Sequence, residues 1–302
     1  MLSFLSGDKF EKEVKLDPPT PFHIQEQIGR LRILGSSVNG TLCIYDISDH
    51  KRVLLWNPAT DKVYVIPPNH LLPHGFCYHF CLHGFGYDHV RDDYKVIRHV
   101  DYNVGTWYTG DISITPLTPD PFWEIYSLRS NSWRKLDIQI RSDGYPGGTE
   151  VYLNGVCHWL GEIEDEIFVM SFNLSNDVFF TTRVDWDGDS FLKLVVLNGY
   201  VAIISNYVYN DGSYNISISI LGEIGVKESW TRLFHVGPLS QVEYPIGAGK
   251  KGNIFFRNSV GEVFWFDLAT GVFEKRDDKE KRIIGQIIVY KKNLCPIGGM
   301  NN

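Results

Sequence analysis

The chain has 302 residues, of which 43% are hydrophobic, 22% charged and 14% aromatic, with a formal net charge of −7. That balance can fill a core, but it excludes nucleic-acid binding through a basic face, because phosphate neutralisation needs clustered Lys and Arg. No apolar run approaches the ~20 residues of a membrane span, and the opening "MLSFLSGDKFEKEVKL" has no sustained apolar region of a signal peptide. The expected setting is therefore intracellular, cytoplasmic or nuclear, with no membrane partner.

Five cysteines, Cys43, Cys77, Cys81, Cys157 and Cys295, are sparse and unpatterned, as expected of reduced thiols. Without a secretory signal, the sequons beginning at Asn39, Asn173 and Asn215 read as chance matches. Phe, Tyr and Trp accompany many Val and Ile, which favours strands.

The first strong element in chain order is "VNGTLCIYD" followed by "LLWNPATDKVYVIP" (54–67). An Asn-Gly pair, the dipeptide of type I′ hairpins, joins two apolar arms, and a polar turn then joins two more. This pattern recurs. The position of Trp56 is matched by Tyr126 in "WEIYSLRSNSWRKLD", Phe172 in "IFVMSFNLSNDVFFTTRV", Ile220 in "ISISILGEIGVKESWTRLF" and Phe266 in "EVFWFDLATGVFEKRD". Tight glycine turns precede these hairpins in "YLNGVCHWLG", "VLNGYVAII" and "KKGNIFFRN", while "FGYDHVRDDYKVIRHV" takes that place in the second unit. The period is ~46 residues, with an insertion in 99–122, and four-stranded units at that spacing are the signature of propeller blades.

The expected fold is an all-β single domain over 1–302, a β-propeller of four-stranded antiparallel blades. Five clear repeats span 35–68, 77–140, 148–185, 191–236 and 244–278. "EKEVKLD" and "GQIIVYK", from 1–34 and 279–302, are expected to pair as a composite sixth blade that closes the ring and removes open edges.

In such a blade the A–B and C–D turns share one face and the B–C and D–A connections share the other. The former are short. The latter include 67–75, 100–121, 140–148, 185–190, 207–214 and 235–244. Long loops on a rigid scaffold are where binding residues concentrate, and exposed Trp and Tyr are common interface anchors. The candidate partner-binding residues are Tyr102, Trp107, Tyr108, Tyr145, Trp186, Tyr207 and Tyr209. Trp56, on a C strand, is instead expected to pack between blades.

Other motifs carry little chemistry. "HLLPHGFCYHFCLHGFGYDH" gathers His70, His74, His79, His83 and His89 with Cys77 and Cys81, but Cys77 and Cys81 would stand ~13 Å apart along a strand, too far for one zinc ion. "DWDGDS" lacks the glutamate of a calcium loop at its twelfth position. "GAGKKGN" lacks GK[ST] and a following helix. "GEIEDE" (161–166) reads as solvated charge in a B–C connection. No catalytic set, metal site or cofactor is expected.

The ordered series "SVNGTLCIYD…LLWNPATDKVYVIP", "GFGYDHVRDDYKVIRHV", "WEIYSLRSNSWRKLD" and "VYLNGVCHWLG" resembles the associated region of plant F-box proteins, often labelled F-box/kelch-repeat. The resemblance covers almost the whole chain. It implies a non-catalytic protein-interaction module, similar to the target-recognition part of a ubiquitin-ligase receptor. The F-box expected at the N-terminus, with its "LP…I…L" start, is not found in the sequence, and the kelch Gly-Gly doublet is missing from its usual place. A Skp-type adaptor and a cullin are thus expected as partners only if an F-box is supplied. The alternative is a glycan-binding or glycoside-hydrolysing propeller using carboxylates such as those of "GEIEDE".

Overall fold

The computed structural model describes residues 2–6, 12–17, 19, 31–47, 49–69, 72, 78–102, 120–138, 140, 143–144, 150–186, 188, 190–239, 242–249, 252–275, 286–295 and 297. Twenty-three strands and one 3₁₀ turn, Lys227–Ser229, account for the regular structure among them. All but the first two strands form five antiparallel blades arranged as a propeller.

Blade one holds β3 (Leu31–Ile33), β4 (Leu42–Asp46), β5 (Asp49–Asn57) and β6 (Lys62–Val65). Blade two holds β7 (Tyr78–Asp88), β8 (Asp93–Tyr102), β9 (Phe122–Ser127) and β10 (Ser132–Leu136). In blade three the inner position is shared by β11 (Asp143–Gly144) and β12 (Val151–Leu153), followed by β13 (Val156–Ile163), β14 (Glu166–Asn173) and β15 (Phe179–Arg183). Blade four comprises β16 (Phe191–Leu197), β17 (Tyr200–Val208), β18 (Tyr214–Leu221) and β19 (Trp230–Leu239). Blade five comprises β20 (Tyr244–Ala248), β21 (Asn253–Arg257), β22 (Val263–Asp267) and β23 (Val272–Lys275).

The A–B hairpins turn where the sequence demands positive φ. Asn39-Gly40, Asn154-Gly155 and Asn198-Gly199 have φ of 49 and 77°, 49 and 83°, and 50 and 83°, as a type I′ turn requires.

Side chains alternate along each strand, so every blade is apolar on both faces. Val96 faces blade one with Val38, Cys43 and Leu55. Its neighbour Ile97 faces blade three with Cys157 and Phe172. Leu160 and Val169 meet Leu194, Val201 and Leu221 between blades three and four, and Ile204 and Ile218 meet Ile254 and Phe266 between blades four and five. Two glycines let β7 lie flush against blade three. A Cβ on Gly84 would stand 2.6 Å from Cys157 Cβ, and one on Gly86 2.4 Å from the Tyr152 ring.

Polar contacts lock the blades in series. The C–D turn of one blade bonds to the outer strand of the blade before it: Asn131 Oδ1 accepts from Tyr64 Oη at 2.7 Å, Asp177 pairs with Arg134 at 2.6 Å, and Gly225 N donates to Thr182 Oγ1 at 2.8 Å. The fully buried Asp88 accepts from Lys95 Nζ at 2.6 Å and from Ser175 Oγ at 2.7 Å, which joins the A–B turn of blade two to the C–D turn of blade three.

Among the described residues the expected composite sixth blade is not formed. β2 (Lys12–Leu16) pairs with β1 (Leu2–Ser6) in a separate two-stranded sheet. Residues 286–290 run as an extended segment outside any ladder, lodged between the inner strands of blades five and one. Ile287 N donates to Ile246 O at 2.8 Å, Gln286 Nε2 to Ile33 O at 2.8 Å, and Ser37 Oγ to Val289 O at 3.1 Å. Ile287 packs on blade five, while Ile288, Tyr290 and Leu16 pack on blade one beside Trp56. Farther along, Asn57 Nδ2 donates to Asn293 O and Cys295 O, and Ile297 is buried in the cluster between blades one and two. One strap thus fills the gap in which a whole blade was expected, because its backbone bonds are spent on two different neighbours.

The register also corrects one equivalence. Trp56 pairs with Leu42, and Phe172 with Cys157, each partner standing three residues after the turn asparagine. The matching residue in blade four is Val201, and because Ala202 pairs with Ile220, the residue opposite Val201 is Leu221. Leu221 is buried toward blade three, as Tyr126, Phe172 and Phe266 are buried toward their preceding blades, whereas Ile220 faces blade five. Trp56 faces the strap, which stands where a preceding blade would be.

Candidate protein-interaction surface

Hairpin alternation puts the end of β8, the start of β9 and the connections 164–165, 209–213 and 258–262 on one face. Of the seven expected surface residues, Trp107, Tyr108 and Tyr145 lie outside the described residues. Tyr102 ends β8, and its backbone pairs with Tyr78. Trp186, Tyr207 and Tyr209 are described in full.

Trp186 is half-buried. Its indole N–H donates to Ser190 O at 2.7 Å, and its ring packs on the cluster between blades three and four. Here the ring covers apolar surface, so most of it is withdrawn from any partner. Tyr207 and Tyr209 behave differently. Their rings meet edge to face at 5.0 Å, and Tyr209 is 44% exposed with its hydroxyl accepting from Asn215 Nδ2 at 2.6 Å. Tyr207 and Val208 belong to β17, paired with Asn215 and Tyr214, so the expected 207–214 loop is only 209–213. The pair is therefore held by ladder bonds and by one another, a rigid presentation that limits the entropy lost on binding.

The other side of blade four, where it meets blade five, holds residues that the sequence reading left unassigned. Phe191 and Tyr244 begin the inner strands of blades four and five, and their rings meet at 5.9 Å. The Arg257 guanidinium, from the end of β21, lies 4.7 Å over the Tyr244 ring. Glu243 and Tyr244 stand near Tyr214, whose hydroxyl pKa is raised by burial and then by those two neighbours. The expected 235–244 connection is shorter as well, since β19 continues to Leu239. Asn206 Nδ2 donates to Glu243 O and fixes the crossing below Tyr244. Only the fold brings these residues together; the available signal was an aromatic at the first position of two successive inner strands.

Beneath the face between blades one and two lies a buried ion pair. Arg98 Nη2 is 2.5 Å from Glu124 Oε1, and Asn69 Nδ2, from the crossing between these blades, donates to Glu124 Oε2 at 2.6 Å. The guanidinium is sandwiched 3.7 Å from the Trp133 ring and 4.2 Å from Phe80. Burial lowers the Arg98 pKa, and Glu124 pulls it back up. This network anchors the root of the crossing at 67–69.

The histidine-rich stretch disperses. His70, His74 and Cys77 lie outside the described residues. His83 is wedged between Trp123 and Trp159, at 4.9 and 5.2 Å, and burial, with His99 nearby, lowers its pKa to about 3. Cys81 Sγ is 3.5 Å from His79 Nδ1, and burial raises the thiol pKa, with Asp101 adding to the rise. Among the described residues no three His, Cys, Asp or Glu side chains gather to hold a metal ion. Cys157 is buried toward blade two, while His158, on the other face of β13, bonds to Ser171 Oγ at 2.8 Å. In "GEIEDE", Glu164 and Asp165 form the two-residue B–C turn, and Glu166 pairs with Arg183 at 2.6 Å. At mid-depth the inner strands of blades one and three close on the axis: a Cβ on Gly35 would stand 3.7 Å from Glu150 O. None of the described helices is long and apolar enough to cross a membrane.

Residues 22–295 match the family model of the F-box associated beta propeller domain. Among curated proteins, the chain is 26% identical over 275 residues to "F-box protein CPR1" of Arabidopsis thaliana, covering 82% of this chain and 63% of that one. It is 26% identical over 202 residues to "F-box/WD-40 repeat-containing protein 1" of the same plant, covering 65% of this chain and 46% of that one. It is 29% identical over 144 residues to "Putative F-box only protein 15", also of A. thaliana, covering 46% of this chain and 33% of that one. The chain thus spans between one third and two thirds of the length of these relatives.

Proposed function

Because the chain belongs to the F-box associated β-propeller family, we propose that it is a non-catalytic, intracellular protein-interaction module that holds a target protein for ubiquitination. The family match across 22–295 carries this reading. The mechanism is positioning. A rigid ring presents its long-loop face to the target, and the ligase is supplied by others. A Skp-type adaptor and a cullin enter only through an F-box.

The target surface in this proposal comprises Tyr102, Trp107, Tyr108, Tyr145, Trp186, Tyr207 and Tyr209. Tyr207 and Tyr209 are its clearest members, because a rigid, exposed aromatic pair gives contact area at low entropic cost. Trp186 contributes mainly by holding the crossing between blades three and four in place. The test is affinity capture from plant extract with the wild-type chain and with a variant carrying alanine at Trp107, Tyr108, Tyr207 and Tyr209. The expected result is loss of the captured partner with an unchanged melting temperature. Capture of the same partner by the folded variant would contradict the reading.

A further inference from the structure

Arg257 stands out among the cations of the long-loop face. Arg98 is buried against Glu124, Arg183 pairs with Glu166, and Lys275 pairs with Glu262 at 2.6 Å. Arg257 is half-buried and stacked over Tyr244, and among the described residues its guanidinium has no carboxylate partner. Tyr244 is 39% exposed and Tyr209 44%. The site is built on ladder strands: Tyr244 pairs with Arg257 across β20 and β21, and Glu243 N donates to Arg257 O at 3.2 Å. The nearest acid in sequence, Glu262, is held by Lys275 at 2.6 Å and Asn258 at 2.9 Å, and Glu243, next to Tyr244, stands near Tyr214. In a chain of net charge −7, this corner presents a cation laid flat on an aromatic ring.

A guanidinium held in that way keeps its in-plane N–H donors free and fixes their direction. That geometry suits a planar carboxylate, which accepts two parallel hydrogen bonds. The partly exposed Tyr244 and Phe191 rings beside it give apolar contact to a residue flanking the acid. We propose that the Phe191–Tyr244–Arg257 corner is the anchor for an Asp or Glu side chain in a linear segment of the target protein. This rests on the reading of the long-loop face as the target surface and names the chemistry that it selects.

The probe is a library of random short peptides displayed on phage and panned against the full wild-type chain and against Arg257→Gln. A selected peptide is then synthesised in two forms, with its acid and with the matching amide, and titrated by fluorescence polarisation. The wild-type chain is expected to enrich peptides with an acidic residue beside an apolar one. Replacing the acid by the amide is expected to weaken binding about tenfold to wild type and to have little effect on Arg257→Gln. Arg257→Lys keeps the charge without the planar fork and should fall between them. Melting temperatures of the variants check that each is folded.

Peptides without acidic enrichment, an amide effect equal in wild type and Arg257→Gln, or no enrichment by wild type over Arg257→Gln would each overturn the proposal. The broader reading fails differently. Selected peptides that ignore alanine at Tyr207, Tyr209 and Tyr244 would show that the long-loop face is not the surface used. Peptides that need those rings but not an acid would remove only the carboxylate anchor.

Discussion

Replacing Arg98 by Met tests how the face is supported from below. Arg98 is 2% exposed and Glu124 is fully buried. Removing the cation leaves the Glu124 carboxylate with the Asn69 amide as its remaining side-chain donor. Breaking a buried pair from one side costs about 3–5 kcal/mol, because the surviving charge is desolvated and unpaired. Methionine refills much of the space between Trp133 and Phe80, so lost packing should be a minor part. For a domain of this size that cost lowers the melting temperature by roughly 6–15 °C. The double change Arg98→Met with Glu124→Leu removes both charges and should regain most of the loss. The assay is urea and thermal unfolding of wild type, both single variants and the double. Equal stability of the Arg98→Met single and the double variant would refute the reasoning, since the cost would then lie in packing around the guanidinium.

Leu221→Ala should cost about 2–4 kcal/mol as a buried large-to-small change, with Ile220→Ala costing clearly less; equal losses in urea unfolding would undo the corrected register of blade four. Gly247→Ala should loosen the closing strap, because φ is 155° and a Cβ would stand 1.9 Å from Ile287 O; faster proteolysis near 286–295 with the blades intact is the expected readout. Stability should also fall with acid. Burial lowers the pKa of His83 to about 3 and of His158 to about 4, so between their unfolded values near 6.5 and these values the unfolded chain binds protons that the native state refuses. The loss is about 1.4 kcal/mol per pH unit for each histidine, or roughly 4 kcal/mol between pH 7 and pH 5. Urea unfolding of His158→Asn at both values should show about half that dependence, and an unchanged dependence would remove His158 from the account.

The parts of the fold legible in the sequence are those set by local backbone demands. Asn-Gly turns mark the A–B hairpins because both residues need positive φ, and alternation marks the strands because each blade is buried on both faces. Two parts depended on distant partners. The long C–D turn of blade four, 222–229, removes the local landmark that fixes strand phase, so the sequence pattern alone places Ile220 where the register places Leu221. "GQIIVYK" alternates like a strand, yet its pairing is decided by Ile246 and Ile33, far away in sequence, and it became a strap. The same holds for the surface. Tyr207 and Tyr209 announce themselves as aromatics near a polar turn. Tyr244 and Arg257 sit at the ends of ordinary strands, and their stacking exists only because β20 and β21 pair in this register. Trp186 shows the converse: an aromatic in a connection can turn inward when its N–H finds a backbone acceptor such as Ser190 O.

Amide hydrogen exchange on the full chain, with and without a saturating peptide selected on it, tests the central claim most directly. The account predicts new protection at 207–214, 243–244 and 257. Protection confined to the short turns at 39–40, 89–92, 154–155 and 198–199 would contradict it, because the partner would then be held on the opposite face.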